Sequence, residues 1–353
     1  MKKETISHKN FLVKNYFKKE SLKKSFDKIV NEISQKCDST KNTYHVLSKK
    51  FVFDFKTNDL KKFKRFNNIA IVGMGGSILG ANAIYDFLKH KIKKKVIFFD
   101  NLDKEKLNKF KKGNNTKDCL FIIISKSGNT IETISNLIEL NILKSNAKNI
   151  IIITEKKQNI LNLIAKKYNL FFIEHKNFLG GRYSVLSEVG IVPAYLMGVN
   201  VTKLRSNLKK YFEAKEKSFL KKSSIALCEI LNKKNYTNLI FLNYAPKLEK
   251  FLFWCQQLIA ESLGKKGKGL LPVISNTPKD HHSLLQLYFD GPKDKIFYIF
   301  SEKETHGKKL KIKKITNKAD FLENKDIDQI KSAQKNALKK VLKKNKIPFR
   351  EFN

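Results

Sequence analysis

Apolar residues along this chain come in short unbroken runs, separated by segments with helical spacing. IAIV begins at Ile69 and runs into GMGG; KKVIFFD closes at Asp100; CLFIII begins at Cys119; NIIIITE closes at Glu155; LFFIEH covers 170–175. Between these runs lie ANAIYDFLKH (81–90), a short piece at 104–111, IETISNLIELNILKS (131–145) and LNLIAKKY (161–168), each readable as a helix. Unbroken apolar strands alternating with helices predict a parallel sheet covered on both faces. The rhythm restarts near residue 207. A long helical segment reaches about Leu231, followed by strands at 237–245, 269–276 and 295–302, a helix at 247–263 and a Lys-rich helix at 327–344. Upstream, Phe26, Ile29 and Ile33 are spaced as one face of a helix. The fold class is therefore α/β. A helical N-terminal segment is expected over 1–49, a first α/β domain over 50–206 and a second over 207–353.

Composition narrows the classes. A length of 353 residues with 41% hydrophobic side chains suits about two domains with real cores and excludes a wholly disordered chain. The four cysteines (Cys37, Cys119, Cys228, Cys255) are scattered and form no C-x-x-C pair, so a disulfide framework and a zinc ribbon lose support. No apolar stretch approaches the ~18 residues of a membrane span, and the basic N-terminus has no signal-peptide core, so a cytoplasmic protein is expected. The net charge of +40 should attract anions, but only four of the cations are Arg (Arg65, Arg182, Arg205, Arg350). Bidentate base reading favours Arg, so no specific nucleic-acid partner and no membrane partner is expected. Lysine is spread along the whole chain, as compositional drift of surface positions would leave it.

Two loops follow strands and precede helices. GMGGSILG (73–80) matches neither G-x-G-x-x-G nor a P-loop, since Ile78 stands at the third glycine position. Its glycines still permit close backbone approach, and Ser77 adds a hydroxyl. A ligand-free tight turn is the structural alternative. SKSGNTIET (125–133) gathers Ser125, Lys126, Ser127, Thr130 and Thr133 where a helix begins. Hydroxyls, N–H groups and the helix dipole there can cradle a phosphate. Thr130 acting as a plain helix cap is the alternative. Both loops end strands of one predicted sheet, the usual ligand crevice of open α/β folds. In GGRYS (180–184), Arg182 is the only Arg between 66 and 204, which suggests a need for a planar, permanent cation; a structural salt bridge would satisfy the same need.

Acid and base candidates lie further on. Gln257 and Glu261 are four apart and share a helix face. Glu261 stands between Ala260 and Ser262, and partial burial there would raise its pKa towards the range of a general base; a solvated helix-end carboxylate is the alternative. In DHHS (280–283), His281 and His282 cannot point the same way in regular structure, and one of them can act as an acid/base. His8, His45, His90, His175 and His306 carry no motif and read as surface or hydrogen-bonded structural histidines. No metal-ligand spacing completes a site around 281–282.

In their order, GMGGSILG, SKSGNTIET, GGRYSVLSEVGIVPA (180–194), QQLIAESLGKKGKG (256–269) and HSLLQLYFDGPKD (282–294) resemble the phosphoglucose isomerase family, enzymes of two sugar-isomerase (SIS) domains. The resemblance covers nearly the whole chain. It implies two SIS-type domains, each a mainly parallel sheet flanked by helices, and interconversion of glucose 6-phosphate and fructose 6-phosphate in glycolysis and gluconeogenesis, with no metal or organic cofactor. Ser125, Ser127, Thr130 and Thr133 resemble the family's phosphate-binding hydroxyls, with Lys126 beside them. Gly76 and Ser77 look like contacts to the sugar phosphate, Gly181 and Arg182 like the pair beside the reacting carbons, and Gln257 like a substrate-orienting glutamine. Glu261 resembles the base that moves the proton between C2 and C1, and His282 the histidine that assists ring opening. The family takes that histidine from a neighbouring subunit, so the resemblance implies a homodimer. Alternatives are an SIS-domain isomerase of mannose 6-phosphate or an amino sugar phosphate, and a non-catalytic sugar-phosphate-binding protein.

One departure from the pattern is expected to matter. Family members continue past a helix like SAQKNALKKVLKK (332–344) into a pattern like NPFDQPGVE followed by Lys, which supplies an active-site Gln and Lys. This sequence ends IPFREFN and contains no such pattern. Ring opening is the step this touches most. Lys265, Lys266 or Lys268 would substitute only if folded inward.

Overall fold

The computed structural model describes residues 8–10, 19–212, 214–233, 236–305, 307–316 and 318–353. His306 and the N-terminal stretches 1–7 and 11–18 lie outside the described residues, as does the side chain of His8. The described residues hold ten strands: β1 (His8–Asn10), β2 (Asn68–Val72), β3 (Lys95–Phe99), β4 (Cys119–Ile124), β5 (Ile150–Thr154), β6 (Phe171–Glu174), β7 (Asn238–Asn243), β8 (Leu271–Asn276), β9 (Lys295–Phe300) and β10 (Phe349–Phe352). No helix among the described residues is long and apolar enough to cross a membrane.

Two compact units share the chain. One comprises residues 27–217 with 253–258; the other comprises the described residues of 1–26 with 218–252 and 259–353. In the first unit five parallel strands run in the order β3-β2-β4-β5-β6. All six positions of β4 and all five of β5 are buried, as central strands covered on both faces require. Alternate residues face opposite ways. Ile71, Ile122 and Ile151 pack with Ala81, Val192 and Leu196, from the helices Leu79–Leu88 and Glu188–Leu196. Val72, Phe121 and Ile152 pack with Leu107, Phe110, Leu137 and Leu161, from the helices Lys104–Gly113, Ile131–Glu139 and Ile160–Lys167. Complete burial of such a side chain is worth ~1.5–3 kcal/mol, so the central strands anchor whatever follows their ends.

The other unit repeats this order. Its sheet runs β1-β10-β9-β7-β8, parallel except that β1 lies antiparallel to β10. In both sheets the chain steps from the starting strand to one neighbour and then crosses to the other side: β2 to β3 and then β4, β7 to β8 and then β9. Loops after β2 and β4 therefore open at a topological switch point, where α/β sheets bind ligands.

Several sequence expectations change here. The N-terminal segment 1–49 is not a separate piece: β1 pairs with β10, Lys19 N donates to Glu229 Oε1 at 3.0 Å, and the division between units falls at 26/27, inside the helix Glu20–Lys36. Further along, Val46 and Phe51 pack on Leu179 in the first unit. The second division falls at 217/218, and residues 253–258 join the first unit. In the helix Glu20–Lys36, Val30 is buried while Ile29 is 55% exposed, so the inward face is centred one residue from the Phe26, Ile29, Ile33 reading. The helix expected over 131–145 stops at Glu139, and Asn141 turns the chain with φ 51°, a conformation Asn tolerates better than most residues.

Candidate active site

The hydroxyl loop is built by the end of β4. Ser125 N continues the ladder onto the Ile153 carbonyl at 3.1 Å, and Gly128 then turns the chain with φ 70°. A side chain at Gly128 would be strained by the positive φ and would displace Asn159, whose Oδ1 lies 1.9 Å from an added Cβ. The turn folds three hydroxyls together. Ser125 Oγ lies 2.8 Å from Thr130 Oγ1 and 3.5 Å from Ser127 Oγ, and Ser127 Oγ lies 3.5 Å from Thr130 Oγ1. Thr130 occupies the cap position of the helix Ile131–Glu139, yet its side chain makes no cap bond. A first turn without a side-chain cap presents N–H groups and the positive dipole end to an anion. Thr133 is fully buried, and its Oγ1 has no hydrogen-bond partner among the described residues. Lys126 Nζ reaches the Asn177 carbonyl at 2.9 Å and lies 3.6 Å from Glu155 Oε1, so its charge is shared with protein acceptors.

Thr130→Val separates the two readings of that residue. As an anion ligand, its loss should weaken inorganic phosphate binding about tenfold, in line with ~1.5–3 kcal/mol for a hydrogen bond to a charged group, beside ~0.5–1.5 kcal/mol of stability lost with the Ser125 bond. A cap role would instead cost ~1 kcal/mol of stability and leave phosphate affinity alone. Phosphate titration of the variant distinguishes them.

The glycine loop after β2 meets the GGRYS segment backbone to backbone. A Cβ on Gly76 would lie 2.2 Å from the Gly181 carbonyl carbon and 2.5 Å from Arg182 N. Gly75, at φ 50°, faces Gln257 Nε2, which lies 2.9 Å from where its Cβ would be. Ser77 is buried and Arg182 half-buried. The Arg182 guanidinium stacks 4.5 Å from the Tyr183 ring centroid. Its carbonyl accepts from Trp254 Nε1 at 3.1 Å, and Ser184 Oγ donates to the Gly181 carbonyl at 2.6 Å. The structure thus brings Gly76, Ser77, Gly181, Arg182 and Gln257 together in the first unit. Ser184, Trp254 and Asn159, which hold these loops, were not picked out from sequence. Trp254 is the chain's only Trp, and that singularity was the available signal.

Glu261 and His282 belong to the other unit. Glu261 lies one turn beyond Gln257 in the helix Glu249–Leu263, about 6 Å further along its axis. It is exposed, as the solvated helix-end alternative has it: the residues after it, Gly264–Gly269, are glycines and exposed lysines, which supply no apolar cover. Lys265, Lys266 and Lys268 are all exposed rather than folded inward, tied in a turn by the Lys265–Lys268 bridge. The histidine pair begins the helix His281–Phe289. His281 Nε2 pairs with Tyr244 OH at 2.8 Å, and burial, followed by the His282 charge, holds its pKa below the usual histidine value. His282 faces solvent, so the two rings diverge as the sequence required. Of the motif-free histidines, His45 and His175 are buried and bonded through Nδ1 to the Cys37 and Lys176 carbonyls, and His90 is exposed.

Comparison with known proteins identifies a family for the chain. The phosphoglucose isomerase family model matches residues 21–346. The glucose-6-phosphate isomerase of Methanocaldococcus jannaschii is 32% identical over 306 residues, covering 84% of this chain and 75% of that protein. A probable glucose-6-phosphate isomerase of Methanococcus maripaludis is 36% identical over 247 residues, 66% of this chain and 56% of that one. The matched segments thus span between 56% and 75% of these relatives' own lengths. In fold, the crystal structure of a Chlamydia trachomatis glucose-6-phosphate isomerase superposes with a TM-score of 0.69 at 17% identity, over 99% of this chain and 79% of that chain. A hypothetical protein from Thermus thermophilus superposes with a TM-score of 0.78 at 20% identity, over 98% and 88%. With the family model matched from the first long helix to the last, this chain belongs to the phosphoglucose isomerase family.

Proposed function

We propose that this chain interconverts glucose 6-phosphate and fructose 6-phosphate through a cis-enediol intermediate. The observation that carries the reading is the helix at Ile131, whose cap residue Thr130 turns its hydroxyl to Ser125 instead of the helix and so leaves the first turn open to a phosphate. The hydroxyls of Ser125, Ser127 and Thr130 hold the phosphate, and that remote binding energy positions the sugar carbons. Thr133 completes the set if a phosphate oxygen reaches its buried hydroxyl, and Lys126 lies beside it.

The roles at the carbons follow from the chemistry. His282 moves the proton between the ring oxygen and the C1 hydroxyl, opening the ring. The Glu261 carboxylate then takes the C2 proton of the open aldose. The electron pair forms the C1–C2 double bond, and negative charge grows on the former carbonyl oxygen. Arg182, a permanent cation, stabilises that charge. Glu261 returns the proton to C1 while the C2 hydroxyl gives its proton to the C1 oxygen and becomes the carbonyl, giving the ketose. Gly76, Ser77 and Gly181 line the sugar, and Gln257 orients it. In this reading the working unit is a cytoplasmic homodimer that shares His282 across its interface.

The test is turnover of fructose 6-phosphate followed by NMR with and without EDTA. Glucose 6-phosphate should appear at an EDTA-independent rate and inorganic phosphate should inhibit competitively. Comparable kcat/KM on mannose 6-phosphate would point to a broader isomerase. Tight binding of the sugar phosphate without turnover would sink the proposal and favour a sensor.

A further inference from the structure

The side chain of Lys126 leaves the hydroxyl loop that contains it. Its ammonium donates to the Asn177 carbonyl at 2.9 Å and lies 3.6 Å from Glu155 Oε1. The Lys126 carbonyl accepts from Glu155 N at 3.2 Å and from Thr154 Oγ1 at 3.3 Å, so the end of β5 grips this residue at both ends. The Glu155 side chain is only 9% exposed and also pairs with Lys157. A carboxylate so withdrawn from water needs charged partners, which the two lysines supply.

Asn177 opens the short stretch that leads to Arg182. That stretch is closely bonded: Leu179 N returns to the Lys176 carbonyl at 3.1 Å, Tyr183 N to the Gly180 carbonyl at 3.0 Å, and Thr43 Oγ1 donates to the Phe178 carbonyl at 2.9 Å. These bonds order the stretch between Asn177 and Arg182, so a displacement at Asn177 has a bonded route towards the arginine. His175, just before it, is buried and neutral, its pKa pushed down to about 4 by desolvation, so it adds no competing cation.

We propose that Glu155 and Lys126 form a positioning pair: Glu155 holds the Lys126 ammonium on the Asn177 carbonyl, which couples anion occupancy of the hydroxyl loop to the placement of Arg182. The coupling rests on the sugar-phosphate reading only in its kinetic arm.

Inorganic phosphate is the probe, and amide hydrogen exchange of the full chain is the measurement. In the wild-type protein phosphate should slow exchange at 125–133 and also at 177–183. Glu155→Gln should bind phosphate within about threefold of wild type and keep protection at 125–133, but lose it at 177–183. At saturating phosphate, Lys126→Met should keep protection at 125–133 and lose it at 177–183, and Lys126→Arg should restore the coupling. With fructose 6-phosphate, Glu155→Gln should lower kcat about tenfold while KM moves less than about threefold. The double variant Glu155→Gln/Lys126→Met should be no worse than Lys126→Met alone, since the pair acts as one unit. If Glu155→Gln fails to fold, Lys126→Met carries the test, because Glu155 keeps Lys157. Persisting protection at 177–183 in either single variant, additive kcat losses, or no phosphate protection in the wild-type protein would overturn the proposal. Coupled protection in a protein that turns over no sugar phosphate would support the pair and contradict the proposed reaction.

Discussion

Glu261→Gln is expected to lower kcat about 10³-fold, within the 10²–10⁴ range that a positioned general base supplies. The substitution keeps shape and removes the negative charge together with the ability to take a proton. Inorganic phosphate should still bind with wild-type affinity, because the hydroxyl loop lies on a different unit from Glu261. Stability should change by no more than about 0.5 kcal/mol, because Glu261 is exposed at the end of its helix. The same variant should stop hydrogen exchange at the sugar C2 in parallel with turnover. Unchanged kcat would move the base role to another residue.

Gly76→Ala should be nearly as damaging for a purely steric reason. The new methyl would lie 2.2 Å from the Gly181 carbonyl carbon and 2.5 Å from Arg182 N, both backbone atoms that no rotamer change can move aside. One of the two loops must shift by roughly an ångström, and misplacement on that scale costs about 100-fold in rate. Overpacking should also lower stability by ~1–3 kcal/mol. Gly113→Ala is the matched control: nothing lies within 4 Å of its added Cβ, so melting temperature and kcat should both hold. A Gly76→Ala protein with wild-type kcat would show that the Gly76–Arg182 contact has no bearing on the reaction.

The strands were readable because the central ones are buried along their whole length, so apolar runs such as CLFIII had no competing interpretation. The loops were readable as candidates because glycine and hydroxyl clusters stood at strand ends. Their function as a site depends on contacts that sequence does not carry. Gly76 and Gly181 each permit close approach, but only the folded chain presses one against the other across more than 100 residues of sequence. Thr130 sits where a cap belongs; its rotamer, not its position, makes it available to an anion. The pairing of β1 with β10 joins the two ends of the chain, and neither short segment has a periodicity long enough to announce a strand. The exposure of Glu261 is likewise set by what packs around it rather than by the neutral residues beside it in sequence. Lys126 shows the same limit: its place in SKSGNT suggested a phosphate contact, while its ammonium is engaged by Asn177 and Glu155.

The central claim is proton transfer at C2 of a sugar phosphate held by the hydroxyl loop. Its most direct test is NMR of glucose 6-phosphate incubated with the wild-type protein in D₂O. Deuterium should enter C2 of the substrate as fructose 6-phosphate labelled at C1 appears, inorganic phosphate should suppress both signals, and Glu261→Gln should abolish both. A folded protein that binds inorganic phosphate yet leaves the C2 proton in place would contradict the account.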